Sequence, residues 1–320
     1  MKNLWKILCP IAILLVVAAL SGQTPKAKRL NRIIDILEQG QPVYYDSSHD
    51  GIAGGGELGK KDAQTWADYI VYDMEHAPWD IEALTQYMRG LAAGGPTRTG
   101  HRMPPVLVVV PVSGTDEATV RANAWQIQQA LATGVHGILL AHADTPGAVR
   151  AFVEAARFPV HKQGVGQQGL QEGRRGVHGV PIAAKIWGVS EQEYIAKADP
   201  WPLNPNGELL IGVKMENRRA AERCVETARV PGLAFGEWGL GDMALSFGYA
   251  EKPSFPLPAE LEAVRTRIWD ACKDAGLYFL GIVTPETVTT MIDRGMKLCR
   301  AYDPAAVEIG RKYTKLEGYY

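Results

Sequence analysis

Short apolar runs rich in Val, Ile or Leu alternate along the chain with longer amphipathic stretches. Each run is followed by a polar or Gly-containing turn, which is typical of a strand that leads into a helix. About eight runs separated in this way predict an α/β protein, a closed (β/α)8 TIM barrel of parallel strands. The predicted strands are residues 43–45, 69–72, 106–110, 137–141, 209–213, 233–235, 278–283 and 297–301.

Helical periodicity fills most of the intervals between these runs. Two stretches break the rhythm, a Gly-rich loop at 51–59 and a long loop excursion at 161–206 that bears several Gly and Pro residues. Loops of this length on a compact barrel usually shape a binding site or an oligomer contact. The predicted helices are residues 80–92, 116–132, 145–156, 191–198, 218–228, 258–275 and 285–294.

Residues 1–23 have the pattern of a secretory signal peptide. Two lysines flank a polar start, an apolar run covers residues 10–20, and small residues follow it. An uncleaved membrane anchor is the alternative, although the run is shorter than the ~20 residues that span a bilayer. We therefore predict export to the periplasm or the medium, no membrane association after cleavage, and a single barrel domain over residues 24–320.

The composition is that of an ordinary globular protein, with 46% hydrophobic and 22% charged residues. A formal net charge of -1 and the absence of long Lys/Arg runs argue against a nucleic-acid partner. The spacing of Cys224, Cys272 and Cys299 fits neither a disulfide framework nor a structural zinc site, so we expect buried thiols. The Gly-rich segments lack the glycine spacing of a dinucleotide-binding turn, which excludes the doubly wound alternative.

Polar side chains that directly follow a strand are the candidates for chemistry, because the carboxyl ends of barrel strands converge on one mouth. Asp73, Glu75 and His76 follow the second predicted strand. A carboxylate beside an imidazole fixes its tautomer and raises its basicity, as in an oriented general base. The alternative is that Asp73 or Glu75 caps the next helix while His76 is merely exposed.

Two further strand ends carry acids. Glu216 ends the fifth predicted strand, and Asp242 lies in a Gly-rich turn after the sixth. Carboxylates from adjacent strand ends can converge on a hard divalent cation, although each alone would more often be a helix cap or a loop acid. His142 and Asp144 end the fourth strand, where a role in the site and simple helix capping both stay open.

Three segments, in this order, resemble the HpcH/HpaI aldolases, which are class II pyruvate aldolases of the phosphoenolpyruvate/pyruvate-binding barrels. Residues 73–78, Asp-Met-Glu-His-Ala-Pro, are similar to the family's Asp-x-Glu-His-Ala-Pro. Met215-Glu216 is like the Ile/Met-Glu that ends its fifth strand. Residues 239–248 are like its Gly-Pro-x-Asp-Leu-Ser-x-x-x-Gly, and the resemblance covers roughly residues 66–311.

The resemblance implies a divalent metal, Mg²⁺ or Mn²⁺ with Co²⁺ or Zn²⁺ as alternatives, held by Glu216 and Asp242. It also implies that His76, oriented by Asp73, is the catalytic group that handles protons. Residues in or near these motifs and at the fourth strand end are expected to contact the substrate: Glu75, His142, Gly241 and Trp238.

The implied reaction is the cleavage of a 4-hydroxy-2-oxoacid to pyruvate and an aldehyde, or its reverse. Its partners are then small-molecule 2-oxoacids and aldehydes, and the resemblance implies a homo-oligomer. Two alternatives stay open. The same metal site can serve dehydration, decarboxylation or hydrolysis of another small oxygenated acid, and a non-catalytic exported binding protein can retain the barrel to capture a metal-chelated ligand.

The sequence departs from the family at a position that matters for charge. The family has an arginine at the end of its third strand, in Val-Arg-Pro, and Val110 stands there in this chain. Loss of a fixed cation opposite a developing enolate costs about 3 kcal/mol, judged by the deletion of one oxyanion donor, unless another group replaces it. The candidates to replace it are Arg102, Arg174, Arg175 and His142.

Overall fold

The computed structural model describes residues 29–46 and 55–315. Its strands are β1 (Val43–Asp46), β2 (Tyr69–Asp73), β3 (Val106–Val110), β4 (Gly137–Leu140), β5 (Pro200–Trp201), β6 (Leu209–Lys214), β7 (Phe235–Glu237), β8 (Tyr278–Val283) and β9 (Leu298–Ala301). Eight of them form a closed parallel ring in the order β1-β2-β3-β4-β6-β7-β8-β9, with β9 paired back to β1. The short β5 pairs with β6 in addition. The ring confirms the predicted (β/α)8 barrel.

Helices connect the strands, and two predicted helices are each divided, at Asn123 and at Arg223. Several helices begin where a side chain accepts a backbone N–H of the first turn, as Asp80 does from Ala83 and Thr145 from Ala148. The helices are α1 (Arg32–Glu38), α2 (Gly55–Asp62), α3 (Ile81–Gly94), α4 (Glu117–Ala122), α5 (Ala124–Ala132), α6 (Pro146–Ala156), α7 (Val180–Trp187), α8 (Glu191–Lys197), α9 (Arg218–Glu222), α10 (Cys224–Ala228), α11 (Leu240–Ser246), α12 (Ala259–Asp274), α13 (Val288–Asp293) and α14 (Pro304–Thr314).

None of the helices within the described ranges is long and apolar enough to cross a lipid bilayer. The predicted signal peptide at 1–23 lies outside the described residues, so the prediction of export stays a prediction. Cys224, Cys272 and Cys299 are buried free thiols, as the sequence indicated.

The prediction of a Gly-rich loop at 51–59 is wrong for its second half, because helix α2 begins at residue 55. Residues 51–54 lie outside the described part of the chain. A Cβ on Gly90 would lie 2.0 Å from the carbonyl oxygen of Gly56, and one on Gly59 would lie 2.2 Å from a carbonyl oxygen of α3. The glycines therefore allow α2 and α3 to pack backbone against backbone.

The predicted loop excursion at 161–206 is partly structured, since it contains a 3₁₀ turn, α7, α8 and β5, and α8 matches the helix predicted at 191–198. The buried ring of Trp187, at the end of α7, stacks on His136, and its indole N–H donates to the carbonyl oxygen of Gly134. These contacts lie before the start of β4, at the amino-terminal side of the barrel. The segment is an additional packed layer, because its apolar residues find partners in the core.

Side chains along each strand alternate between the barrel interior and a layer beneath the helices. On β3, Leu107 and Val109 belong to the interior cluster together with Phe235. Val108 and Val110 belong to the outer cluster, which packs against the helices. This alternation decides which polar side chains near the strand ends point into the barrel.

The amino-terminal end of the barrel is closed and apolar. Four side chains of α1 join the interior cluster, and Asn31, the N-cap of α1, donates to the carbonyl oxygen of His136. Gly212 leaves room for a large ring at the centre, because a Cβ there would lie 2.2 Å from the ring of Phe235. Among the described residues, this apolar packing leaves the carboxyl-terminal part of the interior for the charged groups that line the cavity.

His136 is a buried histidine just before β4. Its ring stacks on Trp187, and its Nδ1 accepts the backbone N–H of Val106 at 3.4 Å. Burial lowers the pKa of His136 from 6.5 to about 3. The folded protein therefore excludes a proton that the unfolded chain binds below about pH 6.5.

We predict that acid weakens the fold through His136. Because the folded pKa is the lower one, the stability from neutral His136 is complete above pH 6.5 and is lost as the pH falls toward 3, by up to ~1.4 kcal/mol per pH unit. His136→Asn keeps an acceptor for the Val106 N–H and should be less stable at neutral pH but less sensitive to acid. Urea unfolding of both proteins across this range measures the difference, and equal pH slopes would contradict the assignment.

Candidate metal centre and active site

Asp73 fixes both His76 and the turn that carries it at the end of β2. Its Oδ2 lies 2.6 Å from Nδ1 of His76. Its Oδ1 accepts the backbone N–H groups of Glu75 at 2.8 Å and of His76 at 3.1 Å. With the Asp73 carboxylate as acceptor, the proton of the neutral imidazole lies on Nδ1, so Nε2 is the nitrogen left to accept one.

The imidazole of His76 is open to solvent, with 61% of its side chain exposed. Partial burial lowers the pKa of His76, but the hydrogen bond and the charge of Asp73, helped by Glu75, outweigh it and the net pKa is raised. A histidine that is oriented by a carboxylate and remains accessible is suited to accept and return a proton.

Glu216 follows β6 as a fully buried carboxylate. Its Oε1 accepts the backbone N–H of His142 at 3.0 Å. Its Oε2 has no hydrogen-bond partner among the described residues, although Nζ of Lys214 lies 3.3 Å away without hydrogen-bond geometry. A Cβ on Gly239 would lie 2.1 Å from this oxygen. Glycine at position 239 therefore leaves room for Oε2 of Glu216, a buried oxygen that accepts no hydrogen bond from the described residues.

His142 adopts a left-handed backbone conformation, with φ +50°, which residues with a side chain rarely do. The conformation directs its N–H to Glu216 and places its ring between two acids. Nδ1 lies 3.7 Å from Oε1 of Glu216, and Nε2 lies 3.7 Å from Oε1 of Glu75. Backbone strain of this kind persists where the surroundings fix it, commonly at functional sites.

Asp242 lies in the first turn of α11, and not in the Gly-rich turn that the sequence predicted. The helix forms because Leu240 and Met243 are buried in the core, which outweighs the low helix propensity of glycine. Ligand atoms of Asp242, Glu216, Glu75 and His142 all lie within 4.8 Å of one another. The structure thus brings together the two acids that were predicted to hold a metal, and adds two further donors.

This group of four, called the carboxylate cluster below, fits a divalent cation. It offers three carboxylates and one imidazole, and Oε2 of Glu216 is a buried oxygen that lacks a partner in the described part of the chain. Carboxylate oxygens suit Mg²⁺ and Mn²⁺, and an added imidazole also suits Zn²⁺ or Co²⁺. Asp73, Glu75 and His76 form a second group of donors. Glu75 belongs to both groups and so links the cluster to the oriented histidine.

Lys214 is a charged residue of this site that the sequence analysis missed. Its Nζ donates to Oε2 of Glu75 at 2.5 Å and forms an ion pair with Glu216. Burial lowers the pKa of Lys214, but Glu237, Glu216 and Glu75 together raise it above its ordinary value. The strand period gives a partial signal, because Lys214 is the last residue of β6 and lies two residues before Glu216, a spacing that places extended side chains on the same side.

Glu237 is a second missed residue, beside Lys214 in the register of β6 and β7. Burial raises the pKa of Glu237 to about 7, while Lys214 opposes the shift and Glu216 adds to it. Burial also raises the pKa of Glu216, again against the effect of Lys214. Acids with raised pKa values around a buried ammonium are typical of functional sites.

A cavity of about 450 Å³ opens beside these groups at the carboxyl-terminal mouth. Asp73, His76, Glu216 and Asp242 form part of its wall. The predicted substrate contacts divide between two places, since Trp238 and Gly241 line the cavity and Glu75 and His142 belong to the carboxylate cluster. Other charged and aromatic groups of the wall are Lys214, Glu237, Lys252, Phe255, Arg265, Phe279 and Arg300.

The arginines considered as replacements for the family's strand-three arginine lie away from the cavity. Arg102 donates to a carbonyl oxygen of α7, and Arg174 pairs with a glutamate of α6. Arg175 is buried against aromatic rings of the outer layer. The expectation that one of these three arginines replaces the family's arginine is wrong. Sequence position gave no information on where in the barrel each of these side chains lies. Of the four candidates, His142 alone lies in the site.

Two other strand-end residues stay outside the carboxylate cluster. Asp144 accepts hydrogen bonds from Asn217 at 2.6 Å and from Arg219 at 2.7 Å, so it ties the end of β4 to α9. Val110 is fully buried in the outer apolar layer. Neither residue brings charge to the cavity.

The sequence profile of the HpcH/HpaI aldolase/citrate lyase family matches residues 57–291. The chain belongs to this family. The segments 73–78, 215–216 and 239–248, which supply most of the site described above, all lie within the matched range.

Individual relatives agree with the family. The hydroxypyruvate/pyruvate aldolase of Sagittula stellata is 29% identical over 189 residues, 59% of this chain and 60% of the relative. The 2-keto-3-deoxy-L-rhamnonate aldolase of Klebsiella pneumoniae is 29% identical over 211 residues, 65% of each chain. The match therefore spans less than two thirds of either relative. The crystal structure of an HpcH/HpaI aldolase/citrate lyase family protein from Burkholderia cenocepacia shares the fold, with a TM-score of 0.61 at 22% identity over 87% of this chain and 94% of that one.

In this HpcH/HpaI family member, Gly239→Ala should disturb metal binding without altering any donor. The new Cβ would occupy space now taken by Oε2 of Glu216, so the carboxylate has to move. We expect the affinity for Mn²⁺ to fall roughly 10- to 100-fold, as it does for other changes next to metal ligands. Titration of Mn²⁺ followed by electron paramagnetic resonance measures the affinity.

Gly241→Ala is the matched control in the same segment, because a Cβ there meets no atom within 4 Å. It should bind Mn²⁺ as the unsubstituted protein does. Equal Mn²⁺ affinities for the Gly239→Ala and Gly241→Ala proteins would show that Glu216 is not in the metal site.

Proposed function

We propose that this protein is a divalent-metal-dependent aldolase that cleaves or forms a carbon–carbon bond of a 2-oxoacid, such as a 4-hydroxy-2-oxoacid. The observation that carries the proposal is the gathering of Glu216, Asp242, Glu75 and His142 within 4.8 Å, next to the oriented His76. Membership of the aldolase/citrate lyase family supports the reaction type. The names of the relatives, a hydroxypyruvate/pyruvate aldolase and a 2-keto-3-deoxy-L-rhamnonate aldolase, support a 2-oxoacid substrate.

Glu216 and Asp242 are the residues that would hold the metal, and we favour Mg²⁺ or Mn²⁺ because both donors are carboxylates. Glu216 is held in place by the N–H of His142, and Asp242 by the first turn of α11. When bound, the cation supplies Lewis-acid stabilisation of the negative charge that develops on the substrate oxygen.

His76 handles the proton in the proposed cleavage. Nε2 accepts the proton of the 4-hydroxyl group, the bond between C3 and C4 breaks, the aldehyde leaves, and the electron pair of that bond forms the enolate of pyruvate. Asp73, 2.6 Å from Nδ1, stabilises the imidazolium that results. The imidazolium then returns the proton to C3 to give pyruvate, so the histidine ends in its starting state.

We also propose that the protein is exported and forms a homo-oligomer. The apolar run at residues 10–20, preceded by lysines, supports export. The resemblance to the family supports an oligomer. The chemistry proposed for the site depends on neither.

Glu216→Gln and Asp242→Asn should each remove activity through loss of the metal. Each change removes a negative charge from a donor at nearly constant size. We expect pyruvate release from a 4-hydroxy-2-oxoacid to fall below about 1% of the unsubstituted level, which corresponds to a loss of several kcal/mol of charge stabilisation. Binding of Mn²⁺ should weaken in parallel.

Glu172→Gln is the matched control, because Glu172 is an exposed acid that pairs with Lys162 on the surface. Glu172→Gln should keep the pyruvate release and the Mn²⁺ binding of the unsubstituted protein. Full turnover by either site variant, or by the unsubstituted protein in excess EDTA, would contradict a metal-dependent reaction.

His76→Ala separates an enzyme from a binding protein with the same barrel. His76 is not in the carboxylate cluster, so Mn²⁺ affinity should stay within about threefold, whereas turnover should fall roughly 100-fold or more with the loss of general base catalysis. Isothermal titration and the pyruvate-release assay on one preparation give both values. A variant with unchanged turnover would remove His76 from the mechanism.

A further inference from the structure

The third strand ends at Val110, which is buried in the outer layer and brings no charge to the cavity. The family's arginine at this position therefore has no counterpart on β3, and the arginines predicted to replace it lie elsewhere. We propose that Lys214 on β6 supplies the fixed cation that binds an oxygen of the 2-oxoacid in place of that arginine. The proposal rests on the aldolase function proposed above.

The position of Lys214 on its strand supports this role. It lies two residues before Glu216 on the inward face of β6, with only 8% of its side chain exposed. Its side chain lines the 450 Å³ cavity together with His76 and Asp242. A substrate that reaches the oriented histidine and the carboxylate cluster in this cavity therefore also meets the ammonium.

The contacts of the ammonium leave it able to bind a ligand. Nζ donates one hydrogen bond, to Glu75, and lies 3.3 Å from Glu216 without the geometry of a second. An ammonium has three N–H donors, so donors remain for an oxygen in the cavity. Hydrogen bonds between an ammonium and a carboxylate or enolate oxygen are about twice as strong as neutral ones. Glu75 acts in this arrangement as the positioning residue for Lys214.

A purely structural role for Lys214 makes different predictions. A lysine that only balances the charges of Glu75, Glu216 and Glu237 would affect folding and metal binding, and its loss would change the binding of a small acid no more than the binding of the metal. A lysine that contacts the acid would affect anion binding selectively. Removal of an ammonium 3.3 Å from Oε2 of Glu216 should, if anything, strengthen the binding of a divalent cation.

The test measures the binding of oxalate and of Mn²⁺ to the full chain by isothermal titration, with oxalate titrated both in Mn²⁺ and in EDTA. Oxalate is a planar dianion with oxygens spaced like those of the pyruvate enolate. Lys214→Met should weaken oxalate binding about tenfold or more, the range for loss of a hydrogen bond to a charged group. Its Mn²⁺ affinity should be equal or higher, and Lys214→Arg should keep oxalate binding within about threefold because the cation is retained.

Two further proteins control the test. Lys162→Met removes an exposed lysine that also pairs with a glutamate, and it should bind both ligands normally. Lys214→Met/Glu237→Gln removes one charge of each sign from the cavity wall, so it keeps the test valid if Lys214→Met alone fails to fold. Thermal melting of each protein reports on the fold independently of binding.

The outcomes separate this inference from the proposed function. Tight Mn²⁺ binding with unchanged oxalate binding in Lys214→Met overturns the role of Lys214 and leaves the aldolase proposal standing. A second outcome is that the unsubstituted protein fails to bind Mn²⁺ while Lys214→Met still loses oxalate binding. That result overturns the proposed metal site and supports the proposed role of Lys214 in binding the acid. Equal losses of Mn²⁺ and oxalate binding in both Lys214→Met and Lys214→Arg assign a structural role and overturn the inference.

Discussion

Repulsion among acids gathered at the carboxyl-terminal mouth is the constraint on which the rest of the site depends. Glu75, Glu216 and Asp242 offer ligand atoms within 4.8 Å of one another, and Glu237 lies next to them in the cavity wall. Two like charges 4 Å apart repel by about 4 kcal/mol at an effective dielectric constant of 20. Lys214 offsets part of this energy, because its charge lowers the pKa values of Glu216 and Glu237 against the larger, raising effect of burial. A divalent cation is the partner that would offset the rest.

The barrel confines this charge to one end. Its lower interior is filled by apolar side chains of the strands and of α1, and the ring of Phe235 occupies the space that Gly212 leaves open. Inward positions further along the same strands hold Lys214 and Glu237. The apolar core gives the charged groups no solvation on its side. The desolvation cost of the acids can therefore be lowered only from the cavity, where a ligand can contact them.

Hydrophobic periodicity was sufficient to predict the barrel, and the strand-end rule was sufficient to bring Glu216 and Asp242 to one mouth. Lys214 and Glu237 were missed because that rule searches after the strands, whereas these two residues are the last positions of β6 and β7. Alternate residues of a strand point to opposite sides, and the set that points into the barrel could be assigned only once the interior face was known. The helix at Gly55–Asp62 was missed because its glycines serve backbone packing against α3, a tertiary contact that local propensity does not contain.

The family's positive charge and the one proposed here come from different strands, β3 and β6, yet parallel strands present their carboxyl ends to the same cavity. A cation can therefore change strand without leaving the site. The change has a consequence, because the ammonium on β6 lies 3.3 Å from Oε2 of Glu216, an oxygen that would also hold the metal, whereas an arginine on β3 need not lie so close to it. On this assignment the metal binds against a neighbouring positive charge, and an anionic ligand that contacts both cations relieves their repulsion. Binding of the metal and binding of the acid are then mutually reinforcing, which favours 2-oxoacids over neutral carbonyl compounds.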